Sequence, residues 1–137
     1  MLKLCLALLF ILFLNPPLQA LLSLSAKEMS VDGLKMKNLS CQLEQGGMFA
    51  LLSIMGSLSK FKKELDACAP EGAALKLEWK FSANKIQAVK VIQGSAQNQN
   101  TCVEKALLFR PFAESGACSG ILLMGNALAA EKAAQSL

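Results

Sequence analysis

The sequence predicts an α+β domain: a small, mainly antiparallel sheet with two helices packed on one face, in the element order β-α-β-β-α-β, stapled by disulfides. Three observations carry this expectation. Leu75, Leu77, Trp79 and Phe81 alternate with Lys76, Glu78 and Lys80, the pattern of a half-buried strand. Leu51, Ile54, Met55, Leu58, Phe61, Leu65 and Cys68 recur at three and four residues, the pattern of an amphipathic helix. Cys68 then closes that helix and Cys102 opens another, with two alternating segments between them.

The first segment is not read as part of the fold. The chain has 137 residues and a mean hydropathy of +0.40, and part of that apolar excess sits at the extreme N-terminus. Met1 and Lys3 begin a weakly positive stretch, residues 4–14 form an apolar run, and Asn15-Pro16-Pro17 stops it. Small residues follow at Ala20, Ser23, Ser25 and Ala26. This is the layout of a secretory signal peptide over residues 1–26, with cleavage after 20, 25 or 26. The apolar run is short beside the roughly 20 residues of a membrane span. A membrane contact is expected only if that segment is retained as an anchor. The remaining residues suffice for one domain, placed at 27–125, followed by an Ala-rich tail at 126–137.

Each element has its own signal. Residues 27–32 read as a polar lead-in. From Leu34 the alternation Leu34, Met36 slips one step after Asn38 to Leu39, Cys41, Leu43, which is a strand with a bulge or turn at Asn38. Asn38-Leu39-Ser40 also matches a glycosylation sequon, a three-residue pattern common by chance. Gly46-Gly47 precedes the first helix, and Ala69-Pro70-Glu71-Gly72 ends it. Ser82-Ala83-Asn84-Lys85 makes a tight turn between the strand at 75–81 and its return at 86–92. Residues 94–100 read as a polar loop. Thr101 and Glu104 then fit a capping box for a second helix that stops before Pro111. Residues 117–125 form the last strand, with Gly120 a bulge or close-approach site. The tail reads as a short frayed helix.

Composition excludes several function classes. The formal charge of +4 is mild, and the cluster Lys60-Phe61-Lys62-Lys63 points in several directions on a helix, so no nucleic-acid partner is expected. There is no histidine and no tyrosine, so base-assisted nucleophilic catalysis lacks its usual partners. Glu64 with Asp66, and Glu78 with Glu104, read as ordinary surface charge rather than catalytic pairs. No catalytic, cofactor-binding or metal-binding residue is assigned, and no cofactor is expected. Cys41, Cys68, Cys102 and Cys118 show no C-x-x-C spacing, and zinc ligands usually come in close pairs. An even cysteine count in an exported chain of this size points to structural disulfides, in any of three pairings. The expected location is therefore periplasmic or secreted.

A set of residues carries a family resemblance: Leu65-Asp66-Ala67-Cys68, Leu77-Glu78-Trp79-Lys80-Phe81, Ser82-Ala83-Asn84-Lys85-Ile86, Val89-Lys90-Val91, Cys102-Val103-Glu104-Lys105-Ala106-Leu107 and Phe109-Arg110-Pro111-Phe112. Over about residues 61–125 the chain resembles the TonB C-terminal-like domain, in the variant that ends gliding proteins of the AgmX/PglI type. The resemblance implies that Cys68 bonds to Cys102, which leaves Cys41 for Cys118. In a loop-entropy account each bond stabilises by roughly 4 kcal/mol. It also implies a non-enzymatic envelope module that docks an extended peptide or another envelope protein by strand addition. The candidate edges are Ile86–Ile92 and Ala117–Gly125. A small secreted effector or inhibitor is the alternative reading, and a thiol-dependent enzyme stands behind both.

Overall fold

A computed structural model describes residues 21–94 and 96–137; the apolar run of the expected signal peptide lies outside them. The elements are β1 (Leu22–Val31), β2 (Leu34–Leu43), α1 (Ala50–Ser59), α2 (Lys62–Cys68), β3 (Ala73–Ser82), β4 (Lys85–Gln93), α3 (Gln97–Leu107), β5 (Gly116–Met124) and α4 (Ala127–Ala134). The fold is α+β, with an open five-stranded sheet in the order β1-β2-β5-β3-β4, antiparallel throughout.

The alternation in β3 sets the two faces of the sheet. Leu75, Leu77, Trp79 and Phe81 point into one large core, with Leu34, Met36, Leu39, Cys41 and Leu43 of β2 and Leu122 and Met124 of β5. Leu51, Ile54, Met55 and Leu58 of α1, Leu65 of α2, and Val103 and Leu107 of α3 close it from above. Such residues stabilise by about 1.5–3 kcal/mol each when fully buried. Phe112 enters the same core, its ring centroid 4.5 Å from that of Phe81.

Four features differ from the sequence expectation. Residues 22–26, placed in the leader, and 27–31, placed in a lead-in, form the ten-residue strand β1. Cleavage after Ala20 leaves β1 whole, whereas cleavage after 25 or 26 removes its first half. The apolar period from Leu51 to Cys68 is broken at Lys60-Phe61, so one expected helix is two, α1 and α2. The second helix begins at Gln97, inside the expected loop. Thr101 therefore lies within α3, its hydroxyl donating to the Gln97 carbonyl, and makes no capping box. Finally, the tail is a docked helix on the opposite face. Ala130 and Ala134 of α4 pack on Ala74, Ile121 and Leu123, and Asn126 caps α4 by accepting from the Ala129 amide at 3.1 Å.

The slip at Asn38 is real and local. Asn38 has φ +51°, and the register of β2 on β5 shifts between Lys37 and Ser40. Gly120 of β5 faces this irregularity: a Cβ there would lie 2.9 Å from the terminal methyl of Met36, a flexible neighbour, and 3.4 Å from the backbone of Lys37 and Leu39.

Candidate docking edge

Both disulfides follow from the placement of the elements. Cys41 of β2 and Cys118 of β5 are direct cross-strand partners, their Cα atoms 4.1 Å apart, and both are buried. Cys68 ends α2, and it bonds to Cys102 of α3 across a Cα separation of 5.6 Å. These are the pairs that the resemblance implies. The first ties the N-terminal hairpin to the central strand, and the second ties two helices above the core.

Two of the carboxylates considered for catalysis, Asp66 and Glu104, have structural partners. Asp66 is ion-paired with Lys62, and its Oδ1 accepts from the Gly125 amide at 2.9 Å. This contact places the turn into α4, where Gly125 has φ +69° and a Cβ would lie 2.0 Å from the Ala69 carbonyl oxygen. Glu104 accepts from the Val91 amide at 3.2 Å. Glu78 lies on the outer face of β3, opposite Lys90 of β4. Among the described residues no group of three or more His, Cys, Asp or Glu could hold a metal ion.

Two of the clefts on the described surface are lined in large part by charged and polar side chains. One, of about 150 Å³, lies where the β1–β2 turn, α2 and α4 meet, and is lined by Lys35, Lys62, Asp66 and Glu131 among others. Its charges are satisfied within the protein. Lys35 pairs with Glu28 at 2.6 Å and with Glu131, and Lys37 pairs with Glu131 at 2.5 Å. The hydrogen bond from Lys35, then that from Lys37, holds the Glu131 carboxyl below its usual range. The bonds to Glu131 and Glu28 raise Lys35 in turn. The second cleft, of about 200 Å³, is a shallow trough on the outer sheet face lined by Ser40, Gln42, Glu78, Lys80 and Ser119. Both are smaller than the ~300–1,000 Å³ of typical small-molecule pockets; two further clefts, of about 300 Å³ beside Gln42, Glu44 and Lys80 and about 320 Å³ beside Phe49, Ser53 and Glu114, are wide surface depressions at the bottom of that range.

The two sheet edges differ. Of the strands proposed from sequence as edges, β5 is not one: it is the central strand, paired with β2 on one side and β3 on the other. β4 is an edge, and it is covered at its start and at Val91. Ile86 donates to the Arg110 carbonyl and accepts from the Phe109 amide, both at 2.9 Å. The Phe112 amide donates to the Asn84 carbonyl at 2.9 Å, and Glu104 covers the amide of Val91. Two register shifts on β3 further break the line of β4. Phe109 adopts φ +65° to make this closure, a position uncommon for a residue with a side chain. Lys85 covers its ring, 5.5 Å from the centroid. The Phe109-Arg110-Pro111-Phe112 stretch is thus an edge cover.

β1 is the open edge, and the sequence reading missed it. Its ten residues pair with β2 alone, and among the described residues no other main-chain group bonds to them. Leu22, Leu24, Ala26, Met29 and Val31 lean on the core, while Lys27 and Glu28 are both exposed. α1 lies over β1 and leaves Phe49 and Leu52 exposed, at 69% and 48%. The signal that finds β1 is Asp32-Gly33 between two alternating segments. Both residues take positive φ, 50° and 81°, and form the two-residue turn of the hairpin.

No known protein family, curated protein or solved structure matches this chain. The class that the fold defines is a disulfide-stapled α+β domain in which, among the described residues, β1 pairs on one side only.

Proposed function

We propose that this protein is a non-enzymatic, exported binding module of the cell envelope that captures an extended peptide by adding it as a sixth strand along β1. The observation that carries the reading is the asymmetry of the edges. One is partly covered by a dedicated segment and a glutamate side chain and broken by two irregularities, and the other runs ten residues without a neighbour among those described. An edge with unpaired main-chain groups is a template that proteins normally cover, so leaving it uncovered calls for a partner. Main-chain hydrogen bonds supply affinity in strand addition, and pockets for alternate side chains supply selectivity. The two disulfides support export into an oxidising compartment, periplasmic or extracellular. Strand addition is also the docking mode that the TonB-like resemblance implies, moved from the two edges expected there to β1.

The test is selection from a displayed random-peptide library against the oxidised protein, followed by amide hydrogen exchange of the complex. Added protection is expected along residues 22–31, with residues 85–93 unchanged. Peptides that protect α1 or β4 instead, or a library that yields none, would overturn the reading.

A further inference from the structure

We infer that the strand edge of β1 is self-complementary, and that in the absence of peptide its occupant is β1 of a second copy of this chain. The inference rests on the reading of β1 as the open docking edge.

The pleat of β1 reverses between Lys27 and Glu28. Leu24 and Ala26 lean on the core before this point, Met29 and Val31 after it, and the two charged residues stand exposed side by side. The pattern of core-leaning and exposed residues reads the same in both directions about that point. β2 carries the matching reversal at Lys37-Asn38, and the β1–β2 ladder aligns the two, pairing Ala26 with Leu39 and Glu28 with Lys37. Two strands with this reversal therefore pair antiparallel with their reversals in register, and the molecule already contains one such pair.

A second β1 laid on the outer edge under the same rule is related to the first by a two-fold axis between Lys27 and Glu28. Lys27 of each copy then faces Glu28 of the other, twice per dimer. Ala26 faces Met29, Leu24 faces Val31, and Ser25 faces Ser30. Every pair matches in character and in face, as cross-strand neighbours require. Charge favours the arrangement: Lys27 has no ion pair among the described residues, and Glu28 shares Lys35 with Glu131. The product is a continuous ten-stranded sheet with no open β1 edge. The same ten residues bind either a peptide or a second copy, so peptide capture competes with dimerisation.

The experiment is sedimentation equilibrium of the oxidised full-length exported protein, with amide exchange measured at low and high protein concentration. Wild type is expected to dimerise, with protection of residues 22–31 rising with concentration. Lys27→Glu places glutamates opposite glutamates, and Glu28→Lys places lysines opposite lysines. Each alone weakens the dimer by about tenfold or more, given two reversed pairs. An equimolar mixture of the two recovers association as a heterodimer, and the double variant K27E/E28K recovers the homodimer. Denaturant midpoints of the single variants confirm that they fold. A wild type that stays monomeric, a dimer whose exchange protection lies outside β1, or single variants that associate as wild type does would each overturn the inference. A monomer whose β1 still captures library peptides would overturn this inference and leave the proposed function standing. A β1-paired dimer that selects no peptide would do the reverse.

Discussion

At the scale of single residues, Trp79 and Glu131 show what is built in and what is held by charge. Trp79 is 1% exposed in the centre of the core, yet its indole Nε1 has no hydrogen-bond partner. Burying an unpaired donor is unfavourable, and the gain from the ring's apolar area outweighs it. Trp79→Ala is therefore expected to cost about 3–5 kcal/mol in denaturant unfolding. Trp79→Phe removes the orphaned N–H with less of the packing and is expected to cost well under half of that. Glu131 behaves differently because it sits at the surface between Lys35 and Lys37. Its carboxyl titrates lower in the folded protein than in the unfolded chain. Its contribution to docking α4 is thus present above the unfolded carboxylate pKa and is lost as pH falls through the depressed folded value. Protection of the Ala127–Ala134 amides, taken relative to the intrinsic exchange rate at each pH, is expected to fall over that acid window, below about pH 4.5, while β3 and β5 stay protected. Glu131→Gln should remove the pH dependence. If the protection factors of α4 stay constant across the window, the ion pairs do not hold it.

At the scale of elements, what the sequence discloses depends on whether a signal is local. β3 was legible because one face is apolar and the other charged without interruption, and Asn38 because a phase slip is visible in a run of alternation. The Cys68–Cys102 staple was legible only through resemblance, since spacing alone allows three pairings. β1 was hidden for two reasons. Its first residues are small and apolar and merge with the expected leader, and the pleat reversal at Lys27 and Glu28 destroys the period of two. The break between α1 and α2 was hidden because the apolar period runs through it. The cover over β4 was not legible at all: nothing local says that Glu104 will reach the Val91 amide, or that Phe109 will take a left-handed conformation. That cover hangs on α3, which is tied to α2 by Cys68–Cys102. Replacing both cysteines with alanine is expected to cost about 2–5 kcal/mol. Val103, Leu107 and Phe112 remain as apolar anchors, so a folded protein with faster exchange at Ile86 and Val91 is the expected product. Unchanged exchange there would show that the anchors alone keep the edge closed.

At the scale of the whole molecule, the helices and disulfides surround a sheet whose two edges differ, and the proposed binding falls on the one that no helix or loop seals among the described residues. The shallow trough around Ser40 and Ser119 shows the same economy: α4 covers only the half of the outer face that carries Ile121 and Leu123. The strand order has a consequence for export. β1–β2 and β3–β4 are hairpins of neighbouring strands, but only β5 joins them, and β5 begins at Gly116. Until that strand is available, the two halves share no sheet, Cys41 has no partner, and the core face of β2 has no strand beside it on the β5 side. If the chain is exported from its N-terminus, as proposed, it stays in separate, marginal hairpins until β5 has passed. Folding and the long-range disulfide, 77 residues apart, would then complete together after translocation.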